Sequence, residues 1–430
     1  MSETSKLGSI DRSQAAEDYP LSAVPFEGGK YIWSLAPLLI GFTLSSASFY
    51  GFEVIGSVYN FETDLILITL LGTLLLGVYA AALGYIAAES GLSTVLMARF
   101  SFGTLGSRWV SFLLALTQLG RYGWGSVLIA ELLNQLVGLP PSFNWLVILF
   151  FTYAFCSTAY MGYLAMDGLS RLVVPGMLVL MMWSFSIATG DSSASVLPSM
   201  LPKEQLSLVE GITIIFGMFV SSGTQATNWS RFACDGRTAV QSTLLAFFLC
   251  NSFLLLTGAY CLSVYGQADI VQVMAKQGLL VVALVLLFLN MWTTQDKIIY
   301  SFSLASAHLL HSTKRNRLVF LGATIALVFA WLGIYKLLVP NLIIPYLKLL
   351  SICITPIGGV IITDYWLHRQ GQFPSLKEEQ PAYNWVGIFA YAMACGVSSF
   401  VPGVTPIYGF ITAAVLYFIL SKLLGGEVRR

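Results

Sequence analysis

Charge is what this chain has least of. Only 10% of its 430 residues are Asp, Glu, Lys or Arg, while 57% are hydrophobic. A soluble protein carries roughly a quarter charged residues, so a water-facing surface of this size cannot be covered, and a soluble globular fold is excluded. A net charge of +1 creates no field that would draw a nucleic acid, which excludes that class of partner. The six cysteines, Cys156, Cys234, Cys250, Cys261, Cys353 and Cys395, show neither CxxC pairing nor metal-ligand spacing and read as small core residues. There are three histidines, His308, His311 and His368, all at the ends of apolar segments. No HExxH, Walker A loop or GxSxG elbow is present, which excludes those hydrolytic chemistries and direct drive by ATP. An ion gradient remains as the energy source. The polar, acidic stretch up to Lys30 lacks a short hydrophobic core followed by a small-residue cleavage site. No removable signal peptide is therefore expected, and the first apolar helix is itself the membrane signal.

What the chain does have is long apolar runs. Blocks of eighteen or more residues, rising about 1.5 Å per residue, cross a hydrocarbon core of about 30 Å. Runs between polar punctuation place candidate spans near 32–52, 64–88, 107–137, 143–164, 168–189, 206–230, 237–264, 277–306, 317–337, 339–365, 383–401 and 405–424. The expected fold is an all-α membrane protein with about twelve transmembrane helices. With both termini cytoplasmic, sixteen Lys and Arg fall on that side and only Lys203, Lys276 and Lys336 on the other. The positive-inside bias thus fixes the orientation, with both termini inside what is expected to be a bacterial cytoplasmic (inner) membrane. Arg121, Lys297 and Lys348 lie within apolar segments and need separate explanations.

Two spans do not read as uniform helices. Small and hydroxyl residues run from Gly41 to Ser48 midway along span 1 and from Ser221 to Asn228 within span 6. These spans occupy matching places if spans 1–5 and 6–10 are two repeats, and an odd number of spans turns the second repeat upside down. Unwound half-helices in that arrangement build a midplane site for substrate and ion. Close helix packing by small residues is the other reading. The corresponding organisation is a tail at 1–30, repeats at 31–190 and 206–365, two peripheral helices within 383–424 and a tail at 425–430.

Polar residues inside the spans supply candidate ligands. In span 3, Gln118, Arg121 and Tyr122 share one face. Gln118 offers a donor and an acceptor suited to the amide-like edge of a heterocycle, with helix-to-helix bonding as the alternative. Arg121 is costly at this depth unless it pairs or meets a polar cavity. In span 8, Asn290, Thr293 and Thr294 share a face and offer hard, uncharged oxygens appropriate to Na⁺, with polar packing again the alternative. Asp296 and Lys297, one after the other, read as a simple pair or part of an inner gate.

Five stretches taken together resemble the nucleobase-cation-symport family in its purine/cytosine permease branch, and within it the bacterial cytosine permeases. They are Leu96 to Gly103 after span 2, Thr117 to Gly120 in span 3, Phe219 to Thr224 in span 6, Leu289 to Thr294 in span 8, and Pro356 to Tyr365 in span 10. The resemblance implies a LeuT-type 5+5 inverted repeat with broken helices 1 and 6 plus two peripheral helices, importing a flat heterocyclic base with Na⁺ or H⁺. It further implies that the base stacks on Phe219 and is hydrogen-bonded by Gln118, Asn290 and backbone N–H groups around Ser221. The Na⁺ site it implies comprises the carbonyls of Gly41 and Leu44 and the side chains of Thr293 and Thr294, with Asn290 nearby. The chain departs from the family at Arg121, where cytosine permeases place a second stacking ring, a tryptophan; here Trp124 follows three residues later. Lys348 likewise replaces a smaller uncharged residue. A guanidinium can stack on a base and favours an electron-rich or anionic ligand. The alternative for Arg121 is an ion pair with Glu53 or Glu131, the latter about 15 Å along the same helix.

The expected function is secondary import of a nucleobase or related heterocycle by cation symport, Na⁺ first and H⁺ second. Spans 1, 2, 6 and 7 would move against a scaffold of 3, 4, 8 and 9. The expected partners are the substrate and the lipid bilayer, with no obligate protein partner. A channel or receptor is the competing class.

Overall fold

A computed structural model describes residues 18–25, 29–44, 59, 64–191 and 207–424, of which 334–341, 343 and 424 are described in backbone only. Twelve helical segments traverse the bundle among the described residues. Span 1 is Ile32–Thr43, span 2 Ile66–Ser90, span 3 Gly106–Val137, span 4 Asn144–Met161, span 5 Tyr163–Asp191 and span 6 Leu208–Thr224 continued by Thr227–Ser230. Span 7 joins Gly236–Leu244 to Asn251–Tyr265 through a π turn at Leu245–Cys250. Span 8 is Leu280–Leu309, span 9 Arg315–Trp331, span 10 Ile334–Thr363 extended by a π turn at Asp364–His368, span 11 Trp385–Phe400 and span 12 Thr405–Leu424. Eight of these are long and apolar enough by themselves to cross a bilayer. Span 3 spends part of its apolarity on Gln118, Arg121 and Glu131.

The packing repeats with an offset of five spans. Span 1 packs on span 5 as span 6 packs on span 10; span 2 packs on 6 as 7 packs on 1; span 3 packs on 9 as 8 packs on 4. Spans 3 and 8 pack on each other, as do 2 and 7, and spans 11 and 12 attach to the outside through span 10. That pattern is the 5+5 inverted repeat with two peripheral helices. The junction that the sequence places between the repeats falls within 192–206, outside the described residues, as does the run Ser45 to Ser48.

Both expected breaks relate to helix ends. Span 1 stops at Thr43 and leaves through Leu44 in an extended conformation. Span 6 stops at Thr224, resumes at Thr227 and thus breaks at Gln225 and Ala226 within the hydroxyl-rich run. Span 5 begins five residues earlier than its apolar run suggested, because Gly162 alone joins it to span 4 at φ 100°, a backbone region that favours glycine. A short helix, Thr94–Phe102, follows span 2 and packs against the broken span 6 region through Thr94.

Close backbone approach fixes span 6 against span 10. A Cβ on Gly217 would lie 2.3 Å from Leu347 O and 2.7 Å from Ser351 Oγ. Gly217→Ala is expected to force the two helices apart at a cost of about 1–3 kcal/mol, read as a lowered unfolding midpoint in detergent. A midpoint equal to wild type would mean that the helices yield without loss.

Candidate functional site

Helix ends leave carbonyls without intrahelical donors, and the ends of spans 1 and 6 acquire theirs from other spans. On span 8, Thr294 Oγ1 lies 3.1 Å from Gly41 O and in a short hydrogen bond with Leu44 O. Three uncharged oxygens from two spans thereby converge. Thr293 turns back on its own helix, its Oγ1 2.9 Å from Leu289 O and 3.2 Å from Asn290 O. Asn290 is buried one turn away. Beside this corner lies an ammonium: Lys297 Nζ donates 2.6 Å to Thr293 O and 3.2 Å to Asp296 Oδ1, and a Cβ on Gly41 would be 3.3 Å from it.

On the span 6 side, Thr94 Oγ1 donates to Thr224 O, and Tyr79 OH bonds Thr224 Oγ1 at 2.8 Å. The freed end of the half-helix is thus held by span 2 and the short helix behind it. Ser221 is the hub of this region, its Oγ reached by Thr117 Oγ1 at 2.6 Å, Gln225 Nε2 at 3.4 Å and Gln118 Nε2 at 3.5 Å. Gln118 is fully buried and its Oε1 has no hydrogen-bond partner among the described residues. One helical turn on, Arg121 donates through Nη1 to Ser222 Oγ, and its guanidinium carbon lies 5.8 Å from the centre of the Phe42 ring. Phe219 is buried in the main core two residues before Ser221.

A cavity of about 30 Å³ adjoins Arg121, lined also by Trp124, Gly125, Met291, Thr294 and Gln295. This holds about one water. Spans 1, 3, 6 and 8 therefore bring together Gly41, Leu44 and Thr294 on one side and Gln118, Arg121 and Ser221 on the other. Trp124 borders the cavity but packs against the satellite cluster of Val127, Ile148 and Leu327, away from Phe219's core. Sequence reading did not find Thr117, Ser222, Phe42 or Gln295. The hydroxyl run in span 6 contains the signal for Ser222; Phe42 reads as an ordinary apolar residue. Glu53, one suggested partner of Arg121, lies outside the described residues.

Residues 32–425 match the family model described as permease for cytosine/purines, uracil, thiamine and allantoin. The chain is 33% identical over 402 residues to the cytosine permeases of Escherichia coli K12 and O157:H7, covering 93% of each chain. It belongs to the cytosine/purine permease family. The permease is accordingly a multi-pass membrane transporter. Its fold is similar to that of Mhp1, a nucleobase-cation-symport-1 family transporter, in a closed conformation with bromovinylhydantoin bound, at 18% identity and a TM-score of 0.81 over 94% of this chain and 95% of that one. It also resembles a substrate-bound, outward-open Na⁺-coupled sialic acid symporter, at 11% identity and a TM-score of 0.68, over 96% and 94% of the two chains. The permease thus shares the LeuT-type architecture that the resemblance implied, with the span pairing of a 5+5 repeat.

Proposed function

We propose that this permease imports a nucleobase or related nitrogen heterocycle across a bacterial cytoplasmic membrane by cation symport and alternating access, with both termini cytoplasmic. The observation that carries the proposal is the meeting of two polar sites where spans 1 and 6 lose their helices: one of hydrogen-bonding side chains around Ser221, one of uncharged oxygens between Gly41, Leu44 and Thr294. The compounds in the family's description are planar or contain planar nitrogen rings, and Mhp1 is described with a hydantoin bound. In this reading Phe219 offers a stacking face. Gln118 presents a free acceptor, and Asn290 and the backbone near Ser221 complete the edge recognition.

Na⁺ is proposed as the co-substrate. Gly41 O, Leu44 O and Thr294 Oγ1, with Thr293 and Asn290 adjacent, are hard oxygen donors of the kind such an ion takes. Because the cation would join span 1 of the moving bundle to span 8 of the scaffold, its binding and the heterocycle's are linked: each raises the other's affinity by the same factor. A proton gradient is the alternative drive.

Reconstituted vesicles test this reading. Radiolabelled cytosine or uracil is expected to accumulate above its outside concentration under an imposed inward Na⁺ gradient, and Gln118→Leu is expected to raise the half-saturating concentration about 10- to 100-fold. Accumulation under a pH gradient alone would replace the ion. Equilibration without accumulation would make the permease a channel, and absence of uptake for every heterocycle tried would withdraw the substrate class.

A further inference from the structure

We infer that the heterocycle taken up by this permease is anionic, a planar ring bearing a carboxylate or an equivalent acidic group held by Arg121. The inference rests on the heterocycle reading above and narrows it. Three cations lie within the apolar spans. Lys297 is neutralised by Asp296 at 3.2 Å and Lys348 by Glu210 at 2.7 Å. Arg121 belongs to none of the ion pairs among the described residues, whose remaining members are Arg171 with Asp167, Arg315 with Asp18 and Arg369 with Asp364. Its contacts include a hydroxyl, Ser222 Oγ, and an aromatic face, Phe42, with the Tyr346 phenol also near. All three solvate a guanidinium, and none is a carboxylate.

Arginine carries five N–H donors in a planar fork that matches a carboxylate with two parallel bonds. The bond to Ser222 engages one end of that fork. On the same helical face, about 5–6 Å away by the spacing of positions i and i+3, the buried Gln118 Oε1 accepts nothing from the described residues. The face therefore presents a charged donor fork and, beside it, an acceptor waiting for an N–H. A ring N–H next to a carboxylate answers both at once. A neutral base answers Gln118 and leaves a half-buried guanidinium at membrane depth without a counter-charge, where a lone charge is costly. Arg121 is thus the specificity-determining residue of the site.

Orotate and uracil differ by one carboxylate beside a ring N–H, which makes them a matched pair of probes. Thermal unfolding of the detergent-purified full chain is measured with orotate, uracil and cytosine, for wild type, Arg121→Gln and Arg121→Lys. Orotate is expected to stabilise the wild type and the two neutral bases to do so much less. Arg121→Gln is expected to weaken orotate about 10- to 100-fold, with Arg121→Lys intermediate because it keeps the charge without the fork. The ligand-free Arg121→Gln protein is expected to unfold no earlier than wild type, since no acid is stranded by the change. Equal stabilisation of wild type by uracil or cytosine would overturn the inference while leaving the heterocycle reading in place. Early unfolding of ligand-free Arg121→Gln, matched by Glu53→Gln, would also overturn it by making Arg121 half of a structural ion pair. No response to any of the three ligands, in wild type or variants, would overturn the heterocycle reading with it.

Discussion

Lys297→Met is expected to destabilise the protein by about 3–5 kcal/mol, enough to remove much of the folded material from a detergent preparation. Asp296 and Lys297 are both fully buried, and their ion pair is 3.2 Å long. Apart from the ammonium, the carboxylate has a side-chain donor in Thr158 Oγ1, 3.0 Å from Asp296 Oδ2, and Thr158 itself receives Trp292 Nε1 at 3.3 Å. Removing the lysine therefore strands a carboxylate that one hydroxyl cannot compensate. The double variant Asp296→Asn with Lys297→Met removes both charges together and is expected to recover most of the loss, because the penalty belongs to the unpaired charge and not to the absence of a pair. Unfolding midpoints of the three proteins, compared with wild type, decide the matter. A single variant as stable as the double would show that Asp296 reaches water.

Asp18→Asn is expected to loosen the end of the bundle that carries the arginine-rich loops. Asp18 and Tyr19 stand side by side in the left-handed region, at φ 59° and 54°, where non-glycine residues are strained. What holds them there is a set of long-range bonds. Asp18 Oδ2 accepts from Tyr163 N at 2.7 Å and lies 3.7 Å from Arg315 Nη2. Arg231, at the end of span 6, donates to Asp18 O at 2.8 Å and Tyr19 O at 3.0 Å. Arg315 is itself buried, donating to Ala159 O at 2.7 Å and lying 4.8 Å over the Tyr300 ring. One short segment thus ties span 6 to the start of spans 5 and 9. Removing the carboxylate charge takes the acid from a buried Arg315 that keeps Ala159 O and Asn316 Oδ1 as acceptors, a loss of about 2–3 kcal/mol discounted for the partial exposure of Asp18. Opening at this end should become about 30- to 150-fold more frequent. Hydrogen exchange at Tyr163 and the following amides reads that change; wild-type exchange rates in the variant would assign the segment no share in closure.

The spans were legible because lipid imposes a simple rule: every backbone polar group must be satisfied within the segment, so length and apolarity identify it. Even the break in span 6 could be located, since Ser221 to Asn228 is the stretch where hydroxyl side chains can replace helix bonds. The site was half legible. Gln118 and Thr294 announced themselves as polar residues on apolar helices, and the structure sets Gln118 beside Ser221 and Thr294 beside Gly41 O and Leu44 O. Lys348, a cation that the sequence left unexplained, pairs with Glu210 across spans 10 and 6, more than a hundred residues away in sequence. Phe42 beneath Arg121 and Asp18 against Tyr163 are likewise pairings of distant segments. Local periodicity records which face of a helix is polar, and it holds no record of which other helix that face will meet.

The junction between the N-terminal segment and span 6 has a practical consequence. Lys30 N donates to Phe232 O at 2.7 Å, and Cys234 N donates to Lys30 O at 3.0 Å, so the strand leading into span 1 is stitched to the end of span 6. Cys234 is the exposed cysteine of the six; Cys156 and Cys261 are buried and the others half-buried. A maleimide dye would therefore attach to the unmodified protein preferentially at this stitch. Its emission would report, without any engineered cysteine, any change in how the ends of spans 1 and 6 sit against each other.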